Sequence, residues 1–132
     1  MRNRLLVVIP FVVLAAVAGC AYKSQRLYQP APITVYGQKD LATVGTAIRK
    51  ALERRDWVVT RDEPGVIEAK QTKRAFWASI RVLYDTRSAR VQYLDSEHLN
   101  YSKTASGEER IHAHYNVWAR NVEKDLKGAL ME

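Results

Sequence analysis

One cysteine, Cys20, is the only thiol in this chain of 132 residues. A lone thiol forms no internal disulfide and builds no cysteine-ligated metal centre, so the fold must hold by packing. Glycines are few and scattered, and no glycine-rich loop of the phosphate-cradling kind occurs. The patterns G-x-S-x-G, S-x-x-K and H-E-x-x-H are missing, which leaves hydrolysis by a serine nucleophile and helix-borne zinc without a motif. There is no internal repeat and no low-complexity segment. The uncharged run Leu5 to Ala18 is too short for a membrane-spanning helix, which needs about 20 apolar residues, and Pro10 interrupts it.

What stands at the start has a different logic. Arg2 and Arg4 precede the apolar run and small residues close it, the pattern of a secretory signal peptide. Ala16-Val17-Ala18 fits simple cleavage. Val17-Ala18-Gly19-Cys20 resembles the bacterial lipobox, an aliphatic residue and two small ones before a cysteine. That resemblance implies cleavage between Gly19 and Cys20, a diacylglycerol on the thiol and an acyl chain such as palmitate on the new amino terminus. The position of the lone cysteine favours the lipoprotein over ordinary secretion. Several acyl chains at about 0.8 kcal/mol per buried CH₂ make a lasting anchor. Ala21 stands where an inner-membrane retention signal usually has aspartate, so the resemblance points to the outer membrane, facing the periplasm.

Loss of residues 1–19 leaves 113 residues carrying 19 basic and 14 acidic side chains, a net charge of +5. That length suits one domain. Its positive charge suits anionic head groups, lipopolysaccharide phosphates or an acidic protein surface; nucleic acid is not an expected partner for an exported chain. Three Trp, seven Tyr and one of the two Phe remain in it and supply bulky apolar area for a core. Residues 20–32 carry two prolines and no periodicity, and read as a lipidated start and flexible tether. Residues 33–132 read as one periplasmic domain.

Within that domain, Ile33 to Tyr36 is a short β-prone run. Asp40 is placed to cap a helix whose apolar face is Leu41, Val44, Ile48, Ala51 and Leu52. Trp57 to Thr60, Val66 to Lys73, Ala78 to Tyr84 and Ala89 to Tyr93 alternate apolar and polar residues, as half-buried strands do. Pro64-Gly65 and Asp85 to Ser88 supply the turns. Leu99 to Gly107 shows no pattern. A last helix is expected from Glu108 and Glu109, with Ile111, Tyr115, Trp118, Val122, Leu126 and Ala129 as its stripe. The fold class is therefore α+β: a four- to five-stranded antiparallel meander with two helices on one face, in the order β-α-β-β-β-β-α.

That order resembles the helix-grip arrangement, in which a long C-terminal helix lies across a curved antiparallel sheet. Domains of an accessory lipoprotein of the outer-membrane β-barrel assembly machine share it. Tyr93-Leu-Asp-Ser96, Leu99-Asn-Tyr101, Ile111-His112 and Tyr115-Asn-Val-Trp118 are also similar to a small family of bacterial envelope lipoproteins. The resemblance implies an anchor and a fold, and no chemistry.

Candidate reactive groups are sparse. His112 and His114 are two apart, about 200° on a helix, so they cannot chelate together from regular helix; His98 is remote in sequence. Asp85, Asp95, Glu108 and Glu109 are expected at turns or a helix start. No cofactor, metal or catalytic residue is expected. The basic and aromatic group Lys70, Lys73, Arg74, Phe76, Trp77 and Arg81 is the candidate interaction surface, with Lys73, Arg74, Trp77 and Arg81 its centre. These features suit a non-catalytic module that binds an unidentified envelope protein. The alternative is a module holding a lipid or glycan between the sheet and the C-terminal helix.

Overall fold

Alternating side chains decide the central layer. In a computed structural model describing residues 24–132, four consecutive strands form antiparallel neighbours: β3 (Val58–Glu63), β4 (Val66–Lys73), β5 (Phe76–Tyr84) and β6 (Ser88–Glu97). They follow β1 (Ser24–Arg26), β2 (Ile33–Thr34) and α1 (Leu41–Glu53), and precede β7 (Ser102–Lys103), β8 (Glu109–His112) and α2 (Ala113–Met131). The larger sheet has the order β2-β6-β5-β4-β3 and a smaller one the order β1-β8-β7. The architecture is α+β, with the expected run of helix, meander and helix at its centre.

The local chemistry explains the boundaries. The Asp40 carboxylate accepts the Thr43 N–H at 2.7 Å and starts α1, as an N-cap should. Pro64-Gly65 turns β3 into β4 with Gly65 at φ +85°, a conformation glycine adopts at little cost. Asp85 Oδ1 accepts from the N–H groups of Arg87 and Ser88 at 2.7 and 2.8 Å, locking the β5–β6 turn. These two bonds hold its carboxyl below the usual carboxylate range.

One face of the sheet is dry. Ile67, Ala69, Ala78, Ile80, Val82, Ala89 and Val91 are buried together with Val44, Ile48 and Leu52 of α1 and Tyr115, Val122, Leu126 and Leu130 of α2. Tyr93 stacks on Tyr101 and meets Tyr115 edge to face, with centroids 4.5 and 5.3 Å apart. The space between sheet and α2 is filled by side chains. No helix among the described residues is long and apolar enough to cross a membrane.

Three expectations change. The stretch expected as a flexible tether is, from Ser24 onward, part of the fold. Gln25 pairs with Ile111 in β8, Leu27 and Tyr28 pack against the core, and Pro30 is buried. Its backbone has partners on β8 and α2, which outweigh its weak intrinsic preference for any regular element. The last helix begins at Ala113 rather than near Glu108, because Glu109 to His112 is extended between β1 and β7. Ile111 is buried as a strand residue. Finally, Trp57 precedes its strand: it plugs the core at 2% exposure after Asp56 at φ 62°.

Asn116 ties the amino-terminal segment to α2. It is the buried polar side chain of the core at 2% exposure. Its Oδ1 accepts the Tyr28 N–H at 2.8 Å, while its Nδ2 donates to the Arg26 carbonyl at 2.9 Å and to Gln25 Oε1 at 3.1 Å. Leucine fits the volume but leaves a buried N–H and a carbonyl unpaired, at about 1–3 kcal/mol for each group. Asn116→Leu should therefore lower unfolding free energy by about 2 kcal/mol or more in urea titration. Amides from Gln25 to Tyr28 should exchange with solvent ahead of those in β5.

Candidate functional site

Trp77 and Arg81 stand on the outer face of β5, as alternation requires, and no helix among the described residues covers that face. The sheet there is a lattice of opposite charges. Glu68 on β4 accepts from Arg81 at 2.8–2.9 Å and from Arg61 on β3 at 3.3 Å. Arg61 also reaches Glu63 at 2.7 Å. Trp77 gives its indole N–H to Glu97 at 2.7 Å, and the Lys70 ammonium lies 4.0 Å above its ring. Arg81 and Trp77 therefore spend their strongest polar contacts within the sheet. Arg81, then Arg61, hold the Glu68 carboxyl below its ordinary range.

Lys73 and Arg74 are placed differently. They lie at the β4–β5 turn, where Lys73 pairs with Phe76 across a two-residue loop. Arg74 sits at φ 56°, in the left-handed region that tight hairpin turns usually fill with glycine or asparagine. Both side chains are exposed, and neither has an ion-pair partner among the described residues. The four candidates thus divide into an internally satisfied pair on the sheet and an unpaired cationic pair at its end.

The sheet end holds more than the candidates. A cleft of about 410 Å³ beside the turn is lined by Lys73, Arg54, Arg55, Asp56, Val117 and Trp118, among others. Arg55 is bound to Asp125 of α2, whereas Arg54 has no ion pair among the described residues. Trp57 also lines the cleft and meets Trp118 edge to face at 6.3 Å; its buried Nε1 has no hydrogen-bond partner among the described residues. Val117 is 56% exposed, an apolar side chain open to water. Arg54 reads in sequence as one more solvated helix residue, and Val117 lies off the apolar stripe. Only folding brings them to Lys73.

The histidines need a correction of premise. His112 is extended, at φ −61° and ψ 141°, and caps α2; its Nδ1 accepts the His114 N–H at 3.1 Å. The strand-to-helix junction therefore brings the two rings together, stacked with centroids 4.7 Å apart and both against Phe76 at 6.1–6.4 Å. Among the described residues no three His, Cys, Asp or Glu side chains cluster as metal ligands would. His98 lies apart, 3.8 Å from Glu97. Asp95 is paired opposite Ser79, while Glu108 and Glu109 contact Arg110 and Lys103. Cys20 and the cleavage position Gly19–Cys20 lie outside the described residues.

Two outcomes follow from these contacts. Glu68 has a depressed folded-state pKa, so its stabilising effect is complete above the ordinary carboxylate range and disappears as pH falls through the folded value. The melting-temperature difference between wild type and Glu68→Gln should be largest near neutral pH and close below about pH 4. Arg74→Gly should relieve the left-handed backbone and raise unfolding free energy by about 0.5–1 kcal/mol, measured by denaturant titration. Across known proteins, the chain matches no family model and no curated sequence.

Proposed function

We propose that this chain is a lipid-anchored lipoprotein of the bacterial envelope, whose folded domain works by binding another envelope component. The observation that carries the reading is Val17-Ala18-Gly19-Cys20, holding the only cysteine of the chain behind a charged and apolar leader. The acyl chains on Cys20 hold the molecule to the membrane, and Ala21 directs it to the outer membrane, facing the periplasm. The role is that of a scaffold without catalysis. The filled space between sheet and α2 favours surface recognition over a ligand held inside.

Two measurements test this. Mature protein from cells should begin at Cys20 and carry fatty acids by intact mass, and Cys20→Ser should abolish that mass shift and leave precursor or soluble periplasmic protein. A mature terminus elsewhere, or one free of acyl chains, sinks the anchor. Cross-linking in intact cells should reproducibly capture one envelope protein, with less capture when Trp77 and Arg81 on the outer face of the sheet are changed to alanine. Capture of only abundant proteins, unaffected by those changes, removes the scaffold role.

A further inference from the structure

Resting on the lipidated Cys20 proposed above, we infer that the domain lies directly on the bilayer, docked by the sheet end that carries Lys73, Arg74 and Arg54. Its partner there is the layer of phosphate-bearing lipid head groups that holds its own anchor.

The first support is chain length. Ser24 is already fixed in β1, opposite His112, and Asn116 holds the residues that follow. From Cys20 to Ser24 the backbone spans at most about 14 Å. The acylated sulfur sits at the membrane interface, so the start of β1 cannot stand much farther away than that. A free tether reaching Pro32 would have permitted roughly 40 Å.

The second support is what lies beside Ser24. His112 stacks on His114 and Phe76, Phe76 pairs with Lys73, and Lys73 shares a cleft with Arg54 and Val117. This chain of contacts puts three cations without ion-pair partners among the described residues at the end nearest the anchor. Lys23 adds a fourth positive charge within the linker. Asp56 lines the same cleft and Glu97 holds the Trp77 indole, so cations outnumber carboxylates here. Polybasic segments next to an anchor are attracted to anionic leaflets over about one Debye length, roughly 10 Å.

The apolar groups fit the same surface. Val117 and Val58 are 56% and 66% exposed, and Phe76 is half-buried beside the cationic turn. Small apolar side chains among cations suit shallow contact with the head-group layer. At the other end of the sheet, Arg49 and Arg61 are neutralised by Asp62 and Glu63. Arg87 and Arg90 at the β5–β6 turn are also without ion pairs among the described residues, but the Asp85 carboxylate lies beside them, and no anchor is attached near that end of the sheet.

The test uses the full, acylated chain in vesicles of phosphatidylcholine, with or without added phosphatidylglycerol. Acylation at Cys20 is verified first by intact mass; its absence overturns the anchor itself, apart from docking. With Cys20 blocked by lipid, Ala75→Cys or Thr86→Cys supplies one free thiol for a fluorophore, at the near or far turn. Energy transfer to dye-labelled head groups should be several-fold stronger from position 75 than from 86, and stronger with phosphatidylglycerol present. Adding Lys73→Glu and Arg74→Glu should erase most of the difference. Adding Arg74→Gly, which keeps or improves the fold, should weaken it in part. Equal transfer from both positions in an acylated protein, or a difference indifferent to these charges, overturns the docking.

Discussion

The Asn116 side-chain amide is the contact on which the placement of the whole molecule turns. A buried amide is costly unless its donors and acceptor are used, and here Tyr28, Arg26 and Gln25 use them. Tyr28 reinforces the join: its hydroxyl donates to Glu123 at 2.5 Å and its ring lies under Arg120 at 4.3 Å. The amino-terminal residues thereby become a strand, pairing with β8 and completing the small sheet. Without that join β8 would lose a neighbour. The first residues of the domain would then be a leash instead of a mooring.

The second constraint is that, among the described residues, helices cover only one face of the sheet. Both helices bury their apolar sides in one core, leaving the outer face to a grid of arginines and glutamates. Exposed ion pairs contribute little each, but alternating signs keep a bare sheet soluble without an apolar patch. The edges are guarded differently. β3 carries a bulge between Val59 and Arg61 and a charged end, which disfavours strand addition. β2 is only two residues long.

These constraints separate the two surfaces that sequence alone had merged. Trp77 and Arg81 are engaged by Glu97 and Glu68 and belong to the outer grid. Lys73 and Arg74 lie at the end of the sheet, where Lys73 shares a cleft with Arg54 and the start of α2. On the proposed anchoring, a short mooring on one side and cations without ion pairs among the described residues beside it would give the domain a preferred orientation on a charged surface. The outer grid would then face sideways or outward, open to a protein neighbour.

Linear pattern by itself determined the four-stranded meander, both amphipathic helices, the Asp40 cap and the Pro64-Gly65 turn. The proposed anchor likewise rests on linear pattern alone, on four adjacent residues. Each of these is a local property: one-sided burial imposes a period, and a turn imposes its own residue types. Tertiary structure alone decided the strand from Ser24 to Arg26, the extended state of Glu109 to His112, the stacked histidines and the grouping of Arg54 with Lys73. Strands of two to four residues are too short to show a period. Their partners lie far away in sequence, Gln25 opposite Ile111 being the clearest case. Which charges stay unpaired depends on register, and register is set by the packed core rather than by neighbours in the chain.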